Sequence, residues 1–188
     1  MAYFRAEDAR AIIREAYSEV RSDGAAVAEA FYAPEELAAL PRGAVDLALG
    51  VGHPLLHAAP RAGETVLDLG CGAGIDTLLA ARAVGPSGRV IGLDMTTAMA
   101  ARAREHAAVM CLANVEVREG LIEQIPLQAE SVNVVISNGV LNLSTRKSRV
   151  LAETFRVLRP GGRVAIADLV LDGALPEDVL KSPAALAG

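Results

Sequence analysis

Residues 66–76 read VLDLGCGAGID. The apolar run Val66, Leu67 and Leu69 is broken by Asp68, after which Gly70, Gly72 and Gly74 alternate with Cys71 and Ala73. This pattern predicts a short strand that ends in a tight bend and passes straight into a helix near Ile75. Glycine at the bend lets the backbone turn sharply and approach a ligand with no Cβ between them. The helix that follows points its unpaired N–H groups at the same place. Three glycines alone would be only a turn. A second apolar strand, RVIGLD, ends in Asp94, about 20 residues on, where a carboxylate can hold a pair of ribose hydroxyls. Together these residues predict an adenosine-type cofactor at the carboxyl ends of the strands.

The spacing narrows the choice. A dinucleotide site of the G-x-G-x-x-G kind would need glycine at 75, where this chain has Ile75. A carboxylate at Asp68 suits a cationic amine and is a poor neighbour for a pyrophosphate. S-adenosylmethionine carries such an amine and no phosphate, so it is the expected cofactor.

The rest of the chain is consistent with that site. From Glu64 onward, strands and helices alternate. Strands are expected at TVLDLG, RVIGLD, VEVRE, SVNVVISN and RVAIADLV, and helices at IDTLLAARAVG, TTAMAARAREHAAVM and RKSRVLAETFRVL, the last stopped by RPGG. Strict alternation implies an α/β, Rossmann-like, doubly wound and mostly parallel sheet, truncated after the fifth strand. Before it, helical spacing over 5–21, a stop at SDG (22–24), and further helices at about 25–31 and 34–40 predict a helical N-terminal cap. Residues 42–63 read as an irregular approach with one short helix around 54–59. The expected organisation is one domain over 1–188, with a cap over 1–60 and a cofactor-binding core over 61–188.

Composition excludes several classes. Hydrophobic residues make up 52% of the 188 and aromatics 3%, so the core must be aliphatic, as in a sheet covered on both faces. A net charge of −5 with scattered basic residues argues against nucleic acid. No apolar run reaches the roughly 18 residues of a membrane span, and the first residues show no signal core. Cys71 and Cys111 form neither a metal-ligand nor a disulfide spacing, so no metal is expected and a reducing, cytoplasmic setting fits.

VLDLGCGAG, the LD at 93–94 and RVLRPGG at 156–162 resemble the class I S-adenosylmethionine-dependent methyltransferases. Within that family, AGETVLDLGCGAGIDTLLAARAVGPSGRVIGLDMT, NVEVREGLIEQIP, SVNVVISNGVLNLS and FYAPEELAALPRGAVDLALGVGHP resemble the arsenite methyltransferases. The resemblance implies cofactor roles. Asp68, Gly70, Cys71, Gly72 and Gly74 would line the methionine part. Asp94 would hold the ribose, Met95 would pack on the adenine, the Ile122 backbone and the Glu123 carboxylate would read the adenine edge, and Asn138 would face the transferring methyl. It also implies cysteine ligands for arsenic at positions that are here Val51 and Gly139, with a third following a segment like SPAALAG, beyond Gly188. The arsenic site as that family builds it is therefore absent, and Cys71 and Cys111 read as packing residues.

Methyl transfer from a sulfonium is an in-line displacement that rests mainly on alignment and exclusion of water. A general base helps when the acceptor is a hydroxyl or an amine. His53 is the candidate for that role, against a helix-capping or surface role, while Asn138 and Asn142 could orient a polar acceptor. His106, flanked by Arg104 and Glu105, reads as solvated, and Asp168 and Asp172 read as loop polarity. The expected function is methyl transfer to a small-molecule acceptor. The alternative is a shortened paralogue that binds the cofactor or a partner without turnover. An uncovered edge after the fifth strand would call for a partner, expected to be a second copy of the chain.

Overall fold

The computed structural model describes residues 4–20, 24–170, 172–173, 176–182 and 185. The stop expected at Ser22 and Asp23 and most of the SPAALAG stretch lie outside the described residues. Five short helices come first: α1 (Ala6–Glu19), α2 (Ala25–Phe31), α3 (Pro34–Ala38), α4 (Arg42–Asp46) and α5 (Pro54–Ala58). They are followed by β1 (Thr65–Leu69), α6 (Ile75–Val84), β2 (Arg89–Asp94), α7 (Thr97–Val109), β3 (Val115–Glu119), β4 (Val132–Asn138), α8 (Lys147–Val157), β5 (Leu158–Ala167) and α9 (Glu177–Leu180). A single 3₁₀ turn, Leu141–Leu143, follows β4.

The strands form one sheet in the order β3-β2-β1-β4-β5, and every pairing is parallel. The order reverses between β1 and β4, so the carboxyl ends of β1, β2 and β4 open one crevice, where open α/β sheets hold their ligands. Side chains alternate across the sheet. Val66, Val90, Val134 and Ile136 pack against α6 and the cap helices, with Ile75, Leu79, Ala80 and Val84. Leu67, Leu69, Ile91, Leu93 and Val135 face the other way, toward Val150 and Val157 of α8. Asp68 shares the α6 side with Val66, and this alternation brings its carboxylate beside the bend rather than under α8.

Two differences from the sequence reading have clear causes. α4 was not expected within 42–63. A glycine inside a helix costs about 1 kcal/mol against alanine, and Gly43 hides the signal. Its reason is tertiary: a Cβ there would lie 2.6 Å from His106 Nε2. β5 begins earlier than the pattern predicts, at Leu158, and runs through Arg159–Gly162, where RPGG predicts only a helix stop. Among the described strands β5 is an edge, and an edge tolerates Pro160, which donates no N–H. The ladder slips between Val132 and Val134 to absorb the extra residues, with Gly161 at φ +77°.

A partly exposed ion pair ties the start of β1 to β5. The Arg163 guanidinium donates to both Glu64 oxygens, Nη1 at 2.8 Å and Nη2 at 2.7 Å, and also to the Ala58 and Ala59 carbonyls that close α5. That fork holds the Glu64 carboxyl down at about 2.

Candidate cofactor site

One cavity opens at the carboxyl ends of β1, β2 and β4. Asp68, Gly70, Cys71 and Gly72 line it from the bend, Asp94 and Met95 from the end of β2, Ile122 and Glu123 from the segment after β3, and Asn138 from β4. The structure thus brings together nine of the residues implied by the resemblance. Gly74 stands just behind, at the N-cap of α6, with φ +100°.

The three bend glycines do different things. All have positive φ, which favours glycine. A Cβ on Gly70 would run into Val140, at 2.2 Å. A Cβ on Gly72 would meet nothing within 4 Å, and Gly72 lines the cavity, so the space beside it is free for a ligand pressed against the bend. Cys71 turns inward, against β2. A Cβ on Gly92 would lie 2.9 Å from its sulfur, and burial pushes its thiol up, so it is a packing residue and not a nucleophile.

Asp94 is held in place by the backbone. Its Oδ1 accepts the Thr96 N–H at 2.8 Å and its Oδ2 accepts the Gly72 N–H at 2.9 Å. A carboxylate oxygen accepts more than one hydrogen bond, so both retain capacity for a vicinal diol. Burial raises its pKa above the usual aspartate range. Asp68, 2% exposed, accepts the Thr77 hydroxyl at 2.6 Å. Burial first, and then the charge of Asp76, push it up to about 8. These residues fit S-adenosylmethionine: acceptors for a ribose at one end, buried carboxylates for a cation at the other, and a side-chain-free bend between them.

Asn138 is fully engaged by the protein. Its Oδ1 accepts the Val51 N–H at 2.8 Å, and its Nδ2 lies within hydrogen-bonding distance of the Gly52 carbonyl, Asp76 Oδ2 and Tyr32 Oη, at 2.8, 2.9 and 3.1 Å. It braces the wall formed by residues 50–52. Gly50 must be glycine for that, because a Cβ there would fall 2.3 Å from the Asn138 amide. Glu123 is similarly occupied, accepting the Ser144 hydroxyl at 2.7 Å with Arg10 Nη2 at 3.7 Å.

Four sequence-based expectations are corrected. His53 is not among the residues lining the cavity. It stands at the N-cap of α5, but its side chain makes no cap bond. The ring is buried, packed against Tyr32 at a tilt of 43° with ring centroids 4.4 Å apart, with Nε2 3.1 Å from Glu36 Oε1. Asn142 also lies outside the lining; its N–H donates to Asp168 Oδ2 at 3.1 Å. His106 is not solvated. It is 9% exposed, and its Nδ1 lies 2.9 Å from the Ala73 carbonyl of the bend, because α7 crosses directly behind the loop. Cys111 is exposed rather than packed, at φ +53° just past α7.

Several site residues carried no sequence signal. Arg10, Ile13 and Tyr17 of α1 roof the cavity, and Asp76 and Ser144 join its wall. Helical spacing in α1 marks an apolar face, but it does not show what that face covers. Asp76 stands in the GAGID pattern and could have been noticed as a second carboxylate beside Asp68.

Comparison with known proteins places this architecture. Residues 60–187 match the methyltransferase domain family, and the chain belongs to that family of S-adenosylmethionine-dependent, Rossmann-like proteins. It is 54% identical over 157 residues to an arsenite methyltransferase of Halobacterium salinarum, covering 84% of this chain and 40% of that protein. A human arsenite methyltransferase is 34% identical over 123 residues, 61% of this chain and 33% of the relative. The solved arsenic(III) S-adenosylmethionine methyltransferase of Chlamydomonas reinhardtii superposes with a TM-score of 0.68 at 36% identity, over 85% of this chain and 53% of that one. The chain spans about 40% of the length of the Halobacterium relative. No helix among the described residues is long and apolar enough to cross a membrane.

Proposed function

We propose that this chain binds S-adenosylmethionine in the β1–β2–β4 crevice and supports methyl transfer to a small-molecule acceptor, in the manner of an arsenite methyltransferase-like domain. The observation that carries this reading is the open space beside Gly72 in a cavity that Asp94, Asp68 and Asp76 also line, with the Gly72 N–H donating to Asp94. When bound, the cofactor supplies an activated methyl on a cationic sulfur. The chain's part is to bind, orient and keep out water. Asp94 receives the ribose diol, Met95 packs on the adenine, the Ile122 backbone and the Glu123 carboxylate read the adenine edge, and the buried carboxylates face the methionine cation. Ile13 and Tyr17 close the roof against solvent.

On this reading the acceptor enters beside residues 49–51 and Gly139. A Cβ on Gly139 would lie 3.6 Å from Val51 Cγ1, so the two positions are neighbours and neither carries a thiol. Among the described residues no cluster of three or more His, Cys, Asp or Glu could hold a metal ion. An acceptor that needs soft thiolate ligands would find none at these two positions. Cys71 and Cys111 are free thiols, which suits a reducing cytoplasm. On this reading a second copy adds to β5, an edge among the described strands, and half-exposed Val164 and Ile166, which share one face of β5, support a partner there. A monomeric mass on gel filtration would count against that dimer.

The deciding experiment is calorimetric titration with S-adenosylmethionine and S-adenosylhomocysteine, followed by an acceptor screen that includes arsenite. Micromolar binding is expected. A folded, monodisperse sample that binds neither compound overturns the reading.

A further inference from the structure

Two carboxylates, Asp68 and Asp76, line the same end of the cavity and are 2% and 4% exposed. Two neighbouring carboxylates in so dry a place do not both ionise without a cation. Among the described lining residues Arg10 is the only basic side chain, and it pairs with Glu123.

Hydrogen bonding decides which of the two carries the charge. Asp76 receives the Tyr32 hydroxyl on Oδ1 at 2.9 Å and the Asn138 amide on Oδ2 at 2.9 Å. Asp68 has one side-chain donor, the Thr77 hydroxyl, with the Thr77 backbone N–H acting in the same sense, but it also faces the charges of both Asp76 and Asp94. Burial raises both acids, but Asn138 and Tyr32 pull Asp76 back down, with His53 acting the same way. Asp68 is pushed to about 8, chiefly by burial and next by the charge on Asp76. The other charged groups acting on the pair are Asp94 of β2, which raises Asp68, and Glu36 of α3, which raises Asp76 and lies behind His53. The His53 ring is the one group that acts on Asp76 in the sense of a positive charge, and it is held against Glu36 outside the cavity lining.

We propose that Asp76, held by Tyr32 and Asn138, is a cofactor-positioning carboxylate that receives the ammonium group of the methionine, and that Asp68 gives up its proton to solvent as that cation arrives. This rests on the cofactor reading above. Tyr32 belongs to the cap at the end of α2, so the helical cap takes part in cofactor recognition through one hydroxyl. The balance is simple: Asp68–COOH becomes Asp68–COO⁻, one proton enters the buffer, and the site goes from one negative charge to two as the ammonium enters.

The test is calorimetry of the whole chain with S-adenosylhomocysteine at pH 7, in two buffers of different ionisation enthalpy. About one proton should be released per ligand bound, and affinity should rise about tenfold per pH unit below 8. 5′-Methylthioadenosine, which lacks the amino-acid ammonium group, should bind without that release. Asp76→Asn should weaken S-adenosylhomocysteine by about 10- to 100-fold, and Tyr32→Phe by about 5-fold, while methylthioadenosine affinity stays level. If Asp76→Asn does not fold, Tyr32→Phe and the proton count decide. Binding with no proton exchanged, or equal release with methylthioadenosine, overturns the proposal and leaves the cofactor reading intact. No binding of either ligand to folded protein overturns both.

Discussion

Gly70 and Gly72 stand two residues apart, both with positive φ, at +68° and +52°, yet they answer to different neighbours. Gly70 makes room for Val140, which would press on any Cβ at 2.2 Å, whereas the space over Gly72 is empty of protein. A left-handed conformation in a non-glycine residue costs about 1–3 kcal/mol. Gly72→Ala should therefore lower thermal stability by no more than that amount while abolishing measurable cofactor binding, because the methyl group fills the ligand's space. Gly70→Ala adds a core clash and should cost more stability than Gly72→Ala. Thermal melts and ligand titrations on the two variants check this; equal losses of both properties in both variants would refute the distinction. The motif was legible in the sequence, but the division of labour between its glycines was not, since it depends on Val140, 70 residues away.

The bend is also held from behind by a helix. α7 places Ala103 against Gly74, where a Cβ would sit 3.3 Å from the alanine methyl, and His106 against the Ala73 carbonyl at 2.9 Å. The far side of the same imidazole abuts Gly43 of α4. One ring therefore spaces a cap helix, a core helix and the glycine loop. His106→Asn can place its Nδ2 where the imidazole Nδ1 stands and should keep cofactor affinity within a few-fold. His106→Phe fills the volume but leaves the Ala73 carbonyl without its donor, a loss of about 1–3 kcal/mol, and should weaken binding by about tenfold. Titration of the two variants side by side is the measurement; equal affinity in both would show that the ring only fills space. Sequence periodicity could not find this. His106 sits between charged residues, and its burial exists only because α4 and the bend meet over it.

Across the molecule, two sets of carboxylates titrate in opposite senses. Asp68 stands near 8 in the folded chain against an ordinary value of 3.8, and burial raises Asp76 and Asp94 as well. Between about pH 4 and 8 the folded state keeps a proton that the unfolded chain has released, so this contribution falls as pH rises through that window. Glu64, held at about 2 by Arg163 against an ordinary 4.5, stabilises above 4.5 and loses that contribution as pH falls toward 2. The apo-protein should be most stable near pH 5, with a lower Tm at pH 8 at equal ionic strength. Saturating S-adenosylhomocysteine should narrow the gap, because a cation then offsets the buried charges. A Tm at pH 8 equal to or above that at pH 5 would refute this balance.

Local pattern by itself determined the alternation of strand and helix, the glycine bend, the carboxylate at Asp94 and the membership of one α/β sheet, because these follow from residue spacing along a few neighbouring elements. Only the tertiary structure decided that Asp76 faces the cavity beside Asp68, that Tyr32 reaches it from the cap, that His53 turns away to Glu36, and that Arg163 locks β5 to β1. The last three of these join side chains 17 to 99 residues apart in the chain. Burial and hydrogen bonding, which set their charge and role, exist only once the sheet has brought those segments together.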